Sequence, residues 1–290
     1  MRNRISFAAL VLTLIAASAG GQDRSGLMNV GDARINYAVA GRGDAIVLIH
    51  GWAQDLDAWD DQVAAFSPNY RVVRYDLRGF GQSSGFADMT ADPEDLRILL
   101  DSLGIRRAHV VGLSRGARVA LDFAVAFPDR VQTLVLEGCS LLADFQPLPP
   151  GPRLFETFAQ IGRTYGLDSL GKFILASPLA WMPPDRAQAR EQMHHMWARY
   201  SGRDLLDPHG ESGRIPEARM DQLAGIRLPT LIVNGDHEMP ILKVVADTLA
   251  RRIPDARKIV IRDAGHAAHM AQPVPFNKAL EEFFGAQPRP

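Results

Sequence analysis

The sequence predicts an α/β fold: a mostly parallel, eight-stranded sheet flanked by helices, with a block of helices inserted late in the strand order. Three observations predict it. Short apolar runs rich in β-branched residues recur along the chain, as expected of strands buried on both faces. Helical signals lie between most of these runs, and strand–helix alternation argues for a parallel sheet covered on both sides. The alternation then stops between Leu141 and Arg219, where helical signals follow one another without a convincing strand.

Taken in order, Leu27 to Val30 and Arg34 to Val39 read as an antiparallel pair joined by a Gly31-Asp32 turn. Ala45 to Ile49 and Arg71 to Tyr75 are the next strands. Asp92 is placed to cap a helix with Pro93 at its first position, running through Leu96, Leu99 and Leu100 to a stop at Gly104. The strand His109 to Val111 leads to a helix carrying Val119, Leu121 and Phe123, which ends before Pro128. Thr133 to Leu136 follows. The inserted block opens with the Pro-rich stretch Pro147 to Pro152. It places Met193, Met196, Trp197 and Tyr200 at i, i+3, i+4 and i+7, one face of a helix. Thr230 to Val233 and Lys258 to Ile261 complete the sheet.

These elements divide the chain into a core, residues 27–140 and 220–285, and a helical cap, 141–219. Residues 1–19 read as an export signal: Arg2 and Arg4, an apolar run from Ile5 to Ala17, then the small residues Ala17-Ser18-Ala19. The rival reading is an uncleaved N-terminal anchor. Under the first, the mature protein is periplasmic or secreted and has no membrane span.

The 290 residues are 47% hydrophobic with a formal net charge of −1, which suits one large domain with a full core. Phosphate binding needs clustered Lys and Arg, and the arginines here are scattered among acids, so nucleic acid is excluded as a partner. The lone Cys139 follows Leu134-Val135-Leu136; it forms no intrachain disulfide and reads as a buried, inert thiol.

Chemistry gathers where strands end. Gly112-Leu113-Ser114-Arg115-Gly116 follows a buried strand and opens a helix, so its glycines let the chain turn sharply and present Ser114 as a nucleophile. A serine hydroxyl needs a base, and the base needs an orienting group. His266, just beyond a strand end, has a side chain that titrates near neutrality; His269 is the less-favoured candidate. Asp236 and Glu238, after Thr230 to Val233, and Glu137, after the earlier strand, are all placed to be the acid. Acyl transfer also needs two N–H donors for the oxyanion. Arg115 supplies one and Trp52, in His50-Gly51-Trp52, the other, leaving both side chains free to shape a pocket. His50 reads as a loop-forming histidine on that side. His194 and His195 read as exposed polar residues of the inserted helices, since a metal site needs more ligands than surround them.

Together His50-Gly51-Trp52, Asp76 to Ser83, Gly112 to Gly116, Gly235 to Glu238 and Gly265-His266 resemble the α/β-hydrolase superfamily. Their order, serine then acid then histidine, is that of the family. The resemblance spans about residues 27–285. It is closest to the branch of 3-oxoadipate enol-lactonases, small carboxylesterases, cofactor-free haloperoxidase-like esterases and carbon–carbon bond hydrolases. It implies Glu238 as the acid, three residues past Gly235, although aspartate is commoner there. It implies structural roles for Asp76 and Arg78. Ser114 departs from the dehalogenases and epoxide hydrolases, which carry aspartate at that position.

The expected activity is hydrolysis of a small-molecule carboxylic ester or lactone through an acyl-enzyme, with no metal or organic cofactor. The alternatives are a carbon–carbon bond hydrolase, a perhydrolase, or a non-catalytic binding protein of the same fold. Trp181, Met193 and Trp197, with Met182 and Met196, either line an apolar substrate pocket or pack the cap onto the core.

Overall fold

The computed structural model describes residues 24–140, 154–177, 180–207 and 221–286. The expected export signal at 1–19 and the Pro-rich stretch at 147–152 lie outside the described residues. Eight strands form one sheet: β1 (Arg24–Val30), β2 (Ala33–Ala40), β3 (Ala45–Ile49), β4 (Arg71–Tyr75), β5 (Ala108–Leu113), β6 (Val131–Glu137), β7 (Thr230–Gly235) and β8 (Ala256–Ile261). Their spatial order is β1-β2-β4-β3-β5-β6-β7-β8. β2 is antiparallel to both neighbours, while every pair from β4 to β8 is parallel. Gly31, at φ 56°, makes the turn between β1 and β2.

The sheet has a separate core on each face. Val47 and Ile49 of β3, Val110 of β5 and Leu134 and Leu136 of β6 pack with α2 (Asp92–Ser102), α3 (Arg115–Ala126) and α7 (Pro240–Arg252). Ile46, Leu48, Val111, Leu113 and Val135 point the other way, toward α1 (Asp60–Phe66) and α9 (Pro273–Gly285). Alternate residues therefore serve opposite cores, which is why these strands read as unbroken apolar runs. A fully buried aliphatic side chain in such a core contributes about 1.5–3 kcal/mol.

β8 departs from the expectation of a strand buried on both faces. It is the sheet edge and is largely exposed. Its charges are held from outside: Lys258 pairs with Asp247, and the Arg257 guanidinium lies 4.9 Å from the Phe283 ring centre. Asp92 departs as well. It is the first residue of α2 rather than its cap, Ala91 takes the cap position, and the Asp92 carboxylate receives Arg115 Nη2 at 2.8 Å.

Between β6 and β7 the described residues form α4 (Leu154–Leu175), α5 (Ala187–Arg199) and α6 (Arg203–Leu206). α4 breaks at Gly166, which adopts φ 84° and ψ 163°. Met193 and Met196 of α5 are buried, and Trp197 packs against both sheet-face cores and against Phe158 and Leu170 of α4. No described helix is long and apolar enough to cross a membrane.

Candidate active site

Trp52, Ser114, Asp236, Glu238 and His266 follow the carboxyl ends of strands and Glu137 ends one, at the edge where open α/β sheets present ligands. Ser114 sits between β5 and α3 at φ 56° and ψ −112°, a conformation that costs a non-glycine residue about 1–3 kcal/mol. Neighbours hold it there: Ser114 N–H donates to the Glu137 carbonyl (2.8 Å), and the Ser114 carbonyl accepts from Arg118 N–H (3.0 Å). The flanking glycines are steric necessities. A Cβ on Gly112 would lie 2.2 Å from the Gly116 carbonyl oxygen, and one on Gly116 would lie 2.2 Å from that of Ile49.

His266 follows β8 and meets Glu238, which follows β7. The His266 ring nitrogen Nδ1 lies 2.8 Å from Glu238 Oε2. An ionised carboxylate only accepts, so Nδ1 carries the proton and Nε2 is the basic nitrogen. Glu238 Oε1 accepts from Met239 N–H at 2.8 Å, so both carboxylate oxygens are engaged. The Glu238 side chain is fully buried, and 11% of the His266 side chain remains exposed. Burial pushes the Glu238 carboxyl up, but the imidazole's charge and hydrogen bond outweigh this and hold it below its ordinary value. Burial also pulls His266 down, yet the charge and hydrogen bond of Glu238, with a further contribution from Glu137, leave it above the ordinary histidine value.

Gly138 sits between the Ser114 turn and the His266–Glu238 pair. Its neighbour Glu137 bonds the Ser114 backbone, while a Cβ on Gly138 would stand 2.7 Å from the His266 ring and 3.0 Å from Glu238 Oε2. Gly138 was not among the residues singled out from the sequence; the signal available was its position directly after a strand and an acidic residue.

The remaining acids and histidines sort themselves by partner. Glu137 binds His269 rather than His266: Oε1 accepts from His269 N–H at 3.0 Å and Oε2 lies 2.9 Å from His269 Nδ1. Asp236 is exposed and accepts from Ala264 N–H at 3.1 Å. Its ligand atoms, with those of His237 and Asp263, lie within 4.8 Å of one another, but all three residues are exposed. His50 is buried; its Nε2 accepts from Leu77 N–H (2.9 Å), so its Nδ1–H donates to the Gly51 carbonyl (2.7 Å). His194 and His195 are exposed. Asp76 accepts from Leu56 N–H and Gln82 N–H, and Arg78 pairs with Asp95, so both brace loops.

The start of α3 is pressed against the loop after β3, since a Cβ on Gly116 would also lie 2.5 Å from the His50 carbonyl oxygen. This packing puts the backbone around Arg115 beside the loop that carries Trp52. Neither side chain is free, contrary to the sequence expectation. Trp52 Nε1–H donates to Asp204 Oδ2 at 2.7 Å, and its ring stacks on Phe158 with centroids 5.4 Å apart. Arg115 is buried between Asp92 and the Phe80 ring. Asp204 also accepts from Tyr200 O–H at 2.7 Å. Its role carries no local sequence signal, because its partner Trp52 is remote in the chain.

Trp181 stacks on His237 with centroids 3.8 Å apart and abuts Gly265 through its backbone. Trp181 and Met193 share the lining of a cavity of about 360 Å³ among the inserted helices, with Arg190 and His194; Ser114, Glu238 and His266 are not part of that lining. Trp197 instead belongs to the aromatic cluster around Trp52, with ring centroids 5.6 Å apart.

Residues 44–273 match the family model described as the alpha/beta hydrolase fold. A 2-hydroxy-6-oxononadienedioate/2-hydroxy-6-oxononatrienedioate hydrolase from Paraburkholderia phymatum is 31% identical over 268 residues, covering 87% of this chain and 91% of the relative. A relative from Pseudomonas savastanoi pv. phaseolicola, named for carbamate hydrolysis, is 30% identical over 252 residues, covering 83% of this chain and 94% of its own. Among solved structures, a thermophilic esterase from Thermogutta terrifontis superposes with a TM-score of 0.74 at 25% identity, covering 91% of this chain and 98% of its own. The chain belongs to the α/β-hydrolase fold family and is a hydrolase.

Proposed function

We propose that the protein cleaves carboxylic esters or lactones through an acyl-enzyme on Ser114, with His266 as base and Glu238 as its orienting acid. The observation that carries this reading is the 2.8 Å bond between His266 and a fully buried Glu238, together with a serine held at positive φ at a neighbouring part of the same sheet edge. His266 Nε2 takes the Ser114 hydroxyl proton as Oγ attacks the carbonyl carbon. The N–H groups of Trp52 and Arg115 receive the oxyanion. Collapse expels the alkoxide, which takes the proton from the imidazolium, and leaves the acyl group on Ser114. Water then attacks the acyl carbon, giving its proton to His266; the second collapse releases the acid and returns the proton to Ser114.

A carbon–carbon bond hydrolase is the second reading, favoured by the name of the Paraburkholderia relative. Initial rates on p-nitrophenyl esters, lactones and vinylogous 1,5-diketones separate the two. Replacing Ser114 by Ala is expected to lower ester turnover by roughly 10⁴-fold or more. Full activity in Ser114→Ala would remove the proposal.

A further inference from the structure

Glu137 has no part in the chemistry described so far, yet it touches both halves of it. Its backbone carbonyl accepts from Ser114 N–H at 2.8 Å. Its side chain, fully buried, accepts from both the backbone N–H and the ring Nδ1 of His269, at 3.0 and 2.9 Å. His269 is the second residue of the short helix α8 (Ala268–Ala271) and lies three residues past His266. His269 is itself fixed from behind: its ring stacks on Trp59 with centroids 4.0 Å apart, and its carbonyl accepts from Gln62 Nε2 at 3.2 Å. One residue thus fastens the serine turn to the segment that carries the base.

We propose that Glu137 is a positioning residue of the triad, with its paired His269 as the anchor. The proposal rests on the Ser114–His266–Glu238 reading above. Its physical basis is a buried carboxylate held by two hydrogen bonds rather than added stability. A buried carboxylate with two donors from one neighbour fixes relative position, whereas an apolar pair of the same volume would pack without fixing it. The charged groups bearing on His266 are Glu238 from the turn after β7 and Glu137 from β6. His269 is the titratable group on α8 that faces Glu137.

Glu137→Gln keeps the volume and the Ser114 backbone bond while deleting the charge; His269→Asn keeps the charge while deleting the ring contact. Both are measured by kcat and KM across pH, with active sites counted by a fluorophosphonate so that only competent enzyme is compared. The expected result is a kcat per active site lowered roughly tenfold or more in both, with KM held within about twofold. In Glu137→Gln the rising limb of kcat/KM also moves to lower pH, because a negative charge that favoured the protonated imidazole is gone. If either variant cannot be obtained folded, the other is judged on the same kcat and KM criterion. Wild-type kcat per active site, or a rate loss wholly accounted for by fewer active sites, overturns the proposal. Ser114→Ala assayed in parallel separates the two failures. If it stays active the triad reading itself is wrong; if it is inactive while Glu137→Gln behaves as wild type, only the role of Glu137 falls.

Discussion

Glu238, the proposed acid, reaches its partner with both oxygens engaged. One oxygen reaches His266 Nδ1 at 2.8 Å while the other stays on Met239 N–H. The ring is held in the tautomer that leaves Nε2 basic. The same contacts set the pH response. His266 lies above its ordinary value, and only its neutral form accepts the serine proton, so kcat/KM should rise with pH through a midpoint above 6.5. Glu238→Gln removes the largest favourable charge. It should lower that midpoint and reduce turnover by roughly 10²–10⁴-fold. A pH–rate profile with an unmoved midpoint would contradict the assignment. At this scale Ser114 and His266 stand out in the sequence as candidates because Ser114 lies between Gly112 and Gly116 and His266 follows Gly265, each past a strand end. The candidate acids are not separable by residue type alone: Asp236 and Glu238 follow β7, Glu137 ends β6, and their partners differ only in three dimensions. Asp236 accepts from Ala264 N–H and Glu137 pairs with His269, while Glu238 pairs with His266, the arrangement on which the proposed acid rests.

Among the elements, the short helix α6 has an influence out of proportion to its length. Its Asp204 carboxylate gathers Trp52 Nε1–H and Tyr200 O–H, both at 2.7 Å, and so ties the helices between β6 and β7 to the loop after β3. That loop supplies the Trp52 N–H proposed for the oxyanion. Deleting an oxyanion donor outright costs about 10²–10³ in kcat, and a misaimed donor costs less, so Asp204→Ala should lower kcat roughly tenfold. Steady-state kinetics beside thermal melting decides this: a melting temperature that falls while kcat stays at the wild-type value would reduce Asp204 to a packing role. Most strands were legible because buried parallel strands are apolar on both faces. β8 was misjudged because an edge strand carries Lys258 and Arg257 outward, and its residual apolar run at Ile259 to Ile261 resembles a buried one. Asp92 was misjudged for a different reason. A carboxylate at a helix start is an ordinary cap by sequence, and the buried Arg115 that claims it lies in another helix.

The whole molecule is a sheet whose two faces are filled by different helices and whose carboxyl edge collects the chemistry. The parallel run from β3 to β8 makes this inevitable: residues after β3, β5, β6, β7 and β8 emerge on one side, and His50, Ser114, Gly138, Glu238 and His266 follow those strands. The strand-end positions of the motifs therefore put them along one edge of the sheet. How the inserted helices sit on that edge was not predictable, since the contacts of Trp52 with Phe158, Trp197 and Tyr200 join residues far apart in sequence. The central claim is that this edge activates Ser114 as a nucleophile. Peptide mass spectrometry after treatment with a fluorophosphonate measures that directly. The account predicts a stoichiometric adduct on Ser114 that is lost in His266→Ala; an unlabelled Ser114, or an adduct formed equally without His266, would contradict it.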